Sequence, residues 1–123
     1  MIPFSRSDRI GGLIQRILSD MLRKDIRDPR LKTTTITGVT VTRDLKLARI
    51  YFTTANSRQI RDAATIGFNS ARGYIKRTLA QALGLKYMPD IQFYYDESLD
   101  YGAHIDELIE LTKHKNGSDH PKN

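Results

Sequence analysis

Apolar residues fall at Ile10, Leu13, Ile14, Ile17, Leu18, Met21 and Leu22, spaced i, i+3, i+4, i+7, i+8, i+11, i+12. That spacing predicts an amphipathic helix, since a period near 3.6 puts them all on one stripe. Ser5 and Ser7 are candidate N-caps, and Asp8 stands three residues after Ser5 as a capping box requires. Gly11 and Gly12 weaken the first turns, at about 1 kcal/mol each relative to Ala. Either the helix starts late or the glycines let another backbone approach. Asp28-Pro29 is expected to end it.

The period then changes. Thr33 to Thr42 is rich in β-branched residues and predicts a strand. Ile36 is out of step with Val39 and Val41, with Gly38 between, which predicts a β-bulge. Arg43 to Lys46 reads as a turn. Leu47 to Thr54 alternates, with Ala48, Ile50 and Phe52 on one face and Leu47, Arg49, Tyr51 and Thr53 on the other. The two strands are expected to form an antiparallel hairpin. A second helical stretch carries Ile60, Ala63, Ala64, Gly67, Phe68 and Ala71. The pattern resumes after Gly73 with Ile75, Leu79, Ala82 and Leu83, which predicts a kink or two helices meeting at Ala71-Arg72-Gly73. Gly84 is a candidate C-cap. Pro89-Asp90 opens a third strand, Ile91 to Asp96, with Ile91, Phe93 and Tyr95 on one face. A short helix with Ile105, Leu108 and Ile109 is expected after Gly102. The polar stretch 114–123 is expected to be a disordered tail after a domain of residues 1–113. The resulting order is an α+β domain with helices on one face of a three-stranded sheet.

Composition narrows the classes. The 123 residues hold 39% hydrophobic and 28% charged side chains, which suits one soluble domain with one core. The absence of Cys removes disulfides, thiol nucleophiles and Cys-ligated metal sites. No apolar run is long enough to span a membrane, and the N-terminal residues lack an apolar signal core, so the expected address is the cytoplasm.

Charge is more informative once divided. The formal net charge is +6, but residues 1–86 carry +11 and residues 87–123 carry −5. Arg9, Arg16, Arg23 and Arg27 recur at seven, seven and four residues, one stripe away from the apolar face of the first helix. Several guanidinium groups in a row can track a phosphate backbone, although a solvated face has the same pattern. Arg6, Arg43, Lys46, Arg72, Lys76 and Arg77 complete the candidate RNA-binding set. Tyr51 and Tyr94 could stack on bases or close the edges of the core. No phosphate-binding loop, nucleophile elbow or paired metal-ligand histidines appear, so no catalytic, cofactor or metal site is assigned. Asp96, Glu97 and Asp100, with Asp90, are the one acidic group that could hold Mg²⁺ for phosphodiester hydrolysis. A turn after a strand is also where solvated acids and caps occur.

Several segments together resemble the ribosome-binding factor A family over about residues 6–112. They are Arg6-Ser7-Asp8-Arg9-Ile10, Asp28-Pro29-Arg30, Thr40 to Tyr51, Ala71-Arg72-Gly73, and Pro89 to Ser98 followed by Gly102, Ile105 and Leu108-Ile109. The resemblance implies a KH-like domain of the second topological class, with Ala71-Arg72-Gly73 as the helix-kink motif. The Gly-x-x-Gly loop of ordinary KH modules is missing. It further implies a monomeric bacterial factor with no enzymatic activity. Such a factor binds the free small (30S) ribosomal subunit and its 16S rRNA near the 5′-terminal helix, beside other assembly factors, and assists late maturation and 5′-end processing. A metal-dependent RNA-processing nuclease, a permanent ribosomal protein and a generic KH RNA-binding module are the competing readings.

Overall fold

The computed structural model describes residues 5–55 and 57–98. In chain order the elements are helix α1 (Arg6–Lys24), a 3-10 turn (Pro29–Leu31), strands β1 (Thr35–Val41) and β2 (Leu47–Thr53), helix α2 (Arg58–Leu83) and strand β3 (Asp90–Tyr95). The expected helix after Gly102 and the expected tail lie outside the described residues.

Local chemistry sets the helix ends. Ser5 closes a capping box with Asp8: its hydroxyl accepts from the Asp8 N–H, and the Asp8 carboxylate accepts from the Ser5 N–H, both at 3.2 Å. Ser7 is instead buried, its hydroxyl 2.8 Å from that of Ser5. The far end of α1 differs from expectation, since the helix stops at Lys24, well before Pro29. The Asp25 and Ile26 N–H groups both donate to the Met21 carbonyl, and Ile26 folds back against the core. Pro29 then starts a new turn, capped by the Asp28 carboxylate accepting from the Arg30 N–H at 2.9 Å.

For α2 the alternative of two separate helices is excluded. The element is helical throughout its 26 residues and is not divided at Ala71-Arg72-Gly73. A glycine costs a helix interior about 1 kcal/mol. Here that cost is outweighed by Phe68, Ile75 and Leu79 on either side, each fully buried and each contributing roughly 1.5–3 kcal/mol. The helix ends where expected, with Gly84 at φ 65° in the left-handed region.

The sheet order is β1-β2-β3, with β1 antiparallel and β3 parallel to β2. The expected bulge is present as a register shift between Ile36 and Gly38. Ala48, Ile50 and Phe52 of β2 are fully buried, as the alternation predicts. Ile91 and Phe93 of β3 join them, and Tyr95 packs at the margin. Ile10, Ile14, Leu18 and Met21 bring α1 onto the same face, while Leu13 is exposed and Ile17 only partly covered. Phe68 of α2 stacks on Phe93 (ring centroids 4.6 Å apart) and leans on Phe52 (4.8 Å).

The helix glycines have different reasons for being there. Gly11 is buried where α1 crosses β1, and a Cβ at that position would lie 3.0 Å from the Val39 carbonyl oxygen. Gly12 is exposed, with open space around it. Gly11→Val is therefore expected to lower stability by about 1–3 kcal/mol through overpacking. Gly12→Ala is expected to raise it by about 0.5–1 kcal/mol. Urea midpoints of the two variants check both signs.

Candidate nucleic-acid interface

The candidate cations do not share one environment. Two of them, Arg23 and Arg27, border a groove of about 780 Å³ between the C-terminal end of α1, the 3-10 turn and the start of β1. Because α1 ends at Lys24, Arg27 lies past the helix, in the segment that turns around the groove, and the helical stripe holds Arg9, Arg16 and Arg23. Two lysines outside the candidate set, Lys24 and Lys32, complete the rim. Leu22, Ile26, Leu31 and Ile36 make the apolar floor, and Thr34 and Thr35 supply hydroxyls. No carboxylate is among the described lining residues. Arg23 is partly neutralised by an ion pair with Asp20, one turn back on the exposed side of α1. Arg23 and Lys24 also complement the negative end of the helix dipole, so part of their placement serves α1 itself.

At the opposite end of α1, Arg6 meets Lys46 from the hairpin turn and Lys86 from the segment after α2, around a pocket of about 400 Å³. Asp44 and Tyr87 also line it. The turn is held by the Asp44 carboxylate, which accepts from the Thr42 hydroxyl (2.7 Å) and the Lys46 N–H (3.1 Å). These contacts keep the Asp44 carboxyl below its ordinary range, the Thr42 hydroxyl contributing most. Leu45 takes φ 62°, a left-handed conformation uncommon for a leucine, while its side chain packs toward the core. Lys86 lacked a sequence signal because nothing in the chain order links it to Arg6. Arg9, Arg16, Arg43 and Arg77 are exposed and line neither pocket.

Arg72 and Lys76 are tied into the fold. The Arg72 Nε donates to the Ile91 carbonyl at 2.7 Å, and its guanidinium pairs with Asp90. Lys76 Nζ lies 3.5 Å from the same Asp90 carboxylate. Arg72 thereby satisfies one carbonyl of β3, and together with Lys76 it ties α2 to that strand. Of the helix-kink residues, Ala71 packs against the core and Gly73 is exposed.

The acidic group is also engaged. Asp90 has the partners just named. The Asp96 carboxylate accepts from the Ser98 hydroxyl (2.6 Å) and N–H (3.0 Å) and from the Thr37 hydroxyl (2.5 Å). The Ser98 hydroxyl, then the Thr37 hydroxyl, hold its carboxyl below the ordinary range. Glu97 is exposed, and Asp100 lies outside the described residues. Among the described residues no three His, Cys, Asp or Glu side chains are grouped so as to hold a metal ion.

Two helices on one face of a three-stranded mixed sheet make this a KH-like domain. The family model for ribosome-binding factor A matches residues 6–109. The ribosome-binding factor A of Desulfosudis oleivorans is 53% identical over 109 residues, covering 89% of this chain and 84% of that protein. The chain belongs to the ribosome-binding factor A family. The crystal structure of ribosome-binding factor A from Thermus thermophilus shares the fold at a TM-score of 0.66 and 17% identity, covering 75% of this chain and 97% of that one. A homology model of the Thermus thermophilus factor, fitted into a cryo-EM map of a complex with the 30S subunit, superposes at a TM-score of 0.60 and 18% identity. It covers 71% of this chain and 91% of that one.

The contacts of Arg72 and Asp96 can each be tested. Arg72→Met keeps the length of the side chain but loses its hydrogen bonds, and is expected to cost about 1–2 kcal/mol in urea denaturation. For Asp96 the folded-state pKa lies below the unfolded one. Its stabilising contribution is therefore complete above the ordinary value of about 3.8 and is lost as pH falls through the lowered folded value. Asp96→Asn is expected to flatten that acid limb when melting temperature is followed between neutral and acid pH.

Proposed function

We propose that this chain binds the free small ribosomal subunit through its ribosomal RNA and assists late maturation of that subunit. The observation that carries this reading is the groove rimmed by Arg23, Lys24, Arg27 and Lys32 and lined by no described carboxylate, in a member of the ribosome-binding factor A family. Phosphate oxygens suit such a rim, because each neutralised phosphate releases condensed counterions. The Thermus thermophilus factor fitted in a complex with the 30S subunit supports the choice of partner.

The finer steps belong to the same proposal. The chain acts as a monomer in the bacterial cytoplasm, near the 5′-terminal helix of 16S rRNA, alongside other assembly factors. It supports processing of the 5′ end and leaves before translation. It needs no bond chemistry. A protein that holds one RNA arrangement more tightly than its alternatives shifts the folding equilibrium by the difference in affinity. The prior engagement of Asp90 and Asp96 by hydrogen-bonding partners supports a binding role over a nuclease.

Co-sedimentation with purified subunits tests the proposal. Binding is expected to small and not large subunits. With roughly 6–10 phosphate contacts, affinity is expected to fall about 10³–10⁵-fold between 50 and 200 mM salt. Reversing Lys24, Arg27 and Lys32 to Glu is expected to lower stability by only about 1 kcal/mol, from Lys24 at the C-terminal end of α1, because all three are exposed, and to abolish co-sedimentation. Equal binding to large subunits would refute the specificity. Survival of binding in the triple variant would move the contact away from this groove.

A further inference from the structure

The face of the sheet turned away from α1 and α2 carries a chemistry that the basic groove does not use. Its middle rung sets Gly38, Tyr51 and Tyr94 side by side on β1, β2 and β3. The two tyrosine rings touch, with centroids 5.7 Å apart and planes tilted by 30°. Gly38 leaves open space where a side chain would project, so the ring of Tyr51 is flanked by a ledge of bare backbone. The next rung sets Thr40, Arg49 and Gln92 side by side. The Tyr94 hydroxyl donates to Gln92 Oε1 at 2.5 Å, which fixes that ring and leaves the Gln92 amide N–H groups to donate elsewhere. Arg49 forms no ion pair among the described residues. Asp90 and Asp96, at the two ends of β3, already have partners.

Neither tyrosine serves the core, which lies on the other face and is closed at this margin by Tyr95. A core function therefore does not account for two adjoining rings beside a glycine gap. Flat rings, a nearby guanidinium and an amide donor at fixed spacing are what an unpaired nucleobase with its phosphate recognises. A duplex is not matched, because its bases are already stacked.

We infer that this sheet face is a stacking platform for an unpaired nucleotide of RNA, with Tyr51 and Tyr94 meeting the base, and Arg49 and Gln92 meeting its phosphate and edge. The inference rests on the reading that the chain meets RNA, but uses a surface separate from the cation-rimmed groove.

The test titrates the full chain with a labelled oligouridine strand and with an RNA duplex of the same length. Changing Tyr51 and Tyr94 to Leu together is expected to weaken single-strand binding at least about fivefold and leave duplex binding unchanged. Changing both to Phe is expected to keep single-strand affinity within about twofold, because the rings remain. If the Leu variant binds the single strand as well as the parent does, the proposal is overturned. Unchanged oligouridine affinity with a lowered melting temperature would give the face to the chain's own residues 99–123. A dimer in sedimentation that the Leu variant dissociates would give it to a second copy. Either result also overturns the proposal. Loss of duplex binding in the groove variant alone concerns the proposed function and not this platform.

Discussion

Phe68 is the contact on which the arrangement turns. Its ring, on α2, meets both Phe52 of β2 and Phe93 of β3. Those two strands are parallel neighbours, and a parallel pair cannot be closed by a tight turn. Something must carry the chain back along the sheet and be held there. The aromatic stack does the holding: it fixes α2 along its length, which in turn brings Arg72 and Lys76 over the start of β3. Removing the Phe68 ring would cost about 3–5 kcal/mol and would loosen the crossover as a unit.

Within this framework the positive charge of the chain falls into distinct uses. Some cations are structural partners, as Arg72 and Lys76 are for Asp90, and as Arg30 is for Asp28. Others, such as Lys24, Arg27 and Lys32, have no described acid across the groove they line. The second kind is available to a polyanion at little cost, because no internal pair has to be broken first. Surface pairs contribute little to stability, so a protein can carry many unpaired cations for binding without weakening its fold much.

Much of this was legible in the chain itself. The apolar periods located α1, β2 and α2, because one buried face per element is a strict physical requirement. The phase slip between Ile36 and Val39 revealed the bulge for the same reason. Gly11 was a marked position whose purpose, the close crossing of Val39, needed the packed structure. The end of α1 was misplaced because Pro29 is a strong stop signal, whereas the actual stop is the double hydrogen bond to the Met21 carbonyl. Of the two alternatives at Gly73, a kink or two helices meeting, the burial of Phe68, Ile75 and Leu79 on both sides rules out the second. For the site, periodicity found Arg23 but not Lys24, Lys32 or Lys86. Those residues are assembled by tertiary contact, and a charge count cannot tell a cation with a partner from one without.

The order in which the sheet is joined has a kinetic consequence. The hairpin of β1 and β2 closes over a short turn, while Leu47 finds its partner Asp90 only after the whole of α2 has been made. Contacts of low sequence separation form early, and those of high separation wait for loop closure. Folding should therefore proceed from the N-terminal helix and hairpin toward β3. During synthesis the first half emerges with the Phe52 side of β2 only partly covered. The last strand, and with it the tether from Arg72, completes the three-stranded sheet.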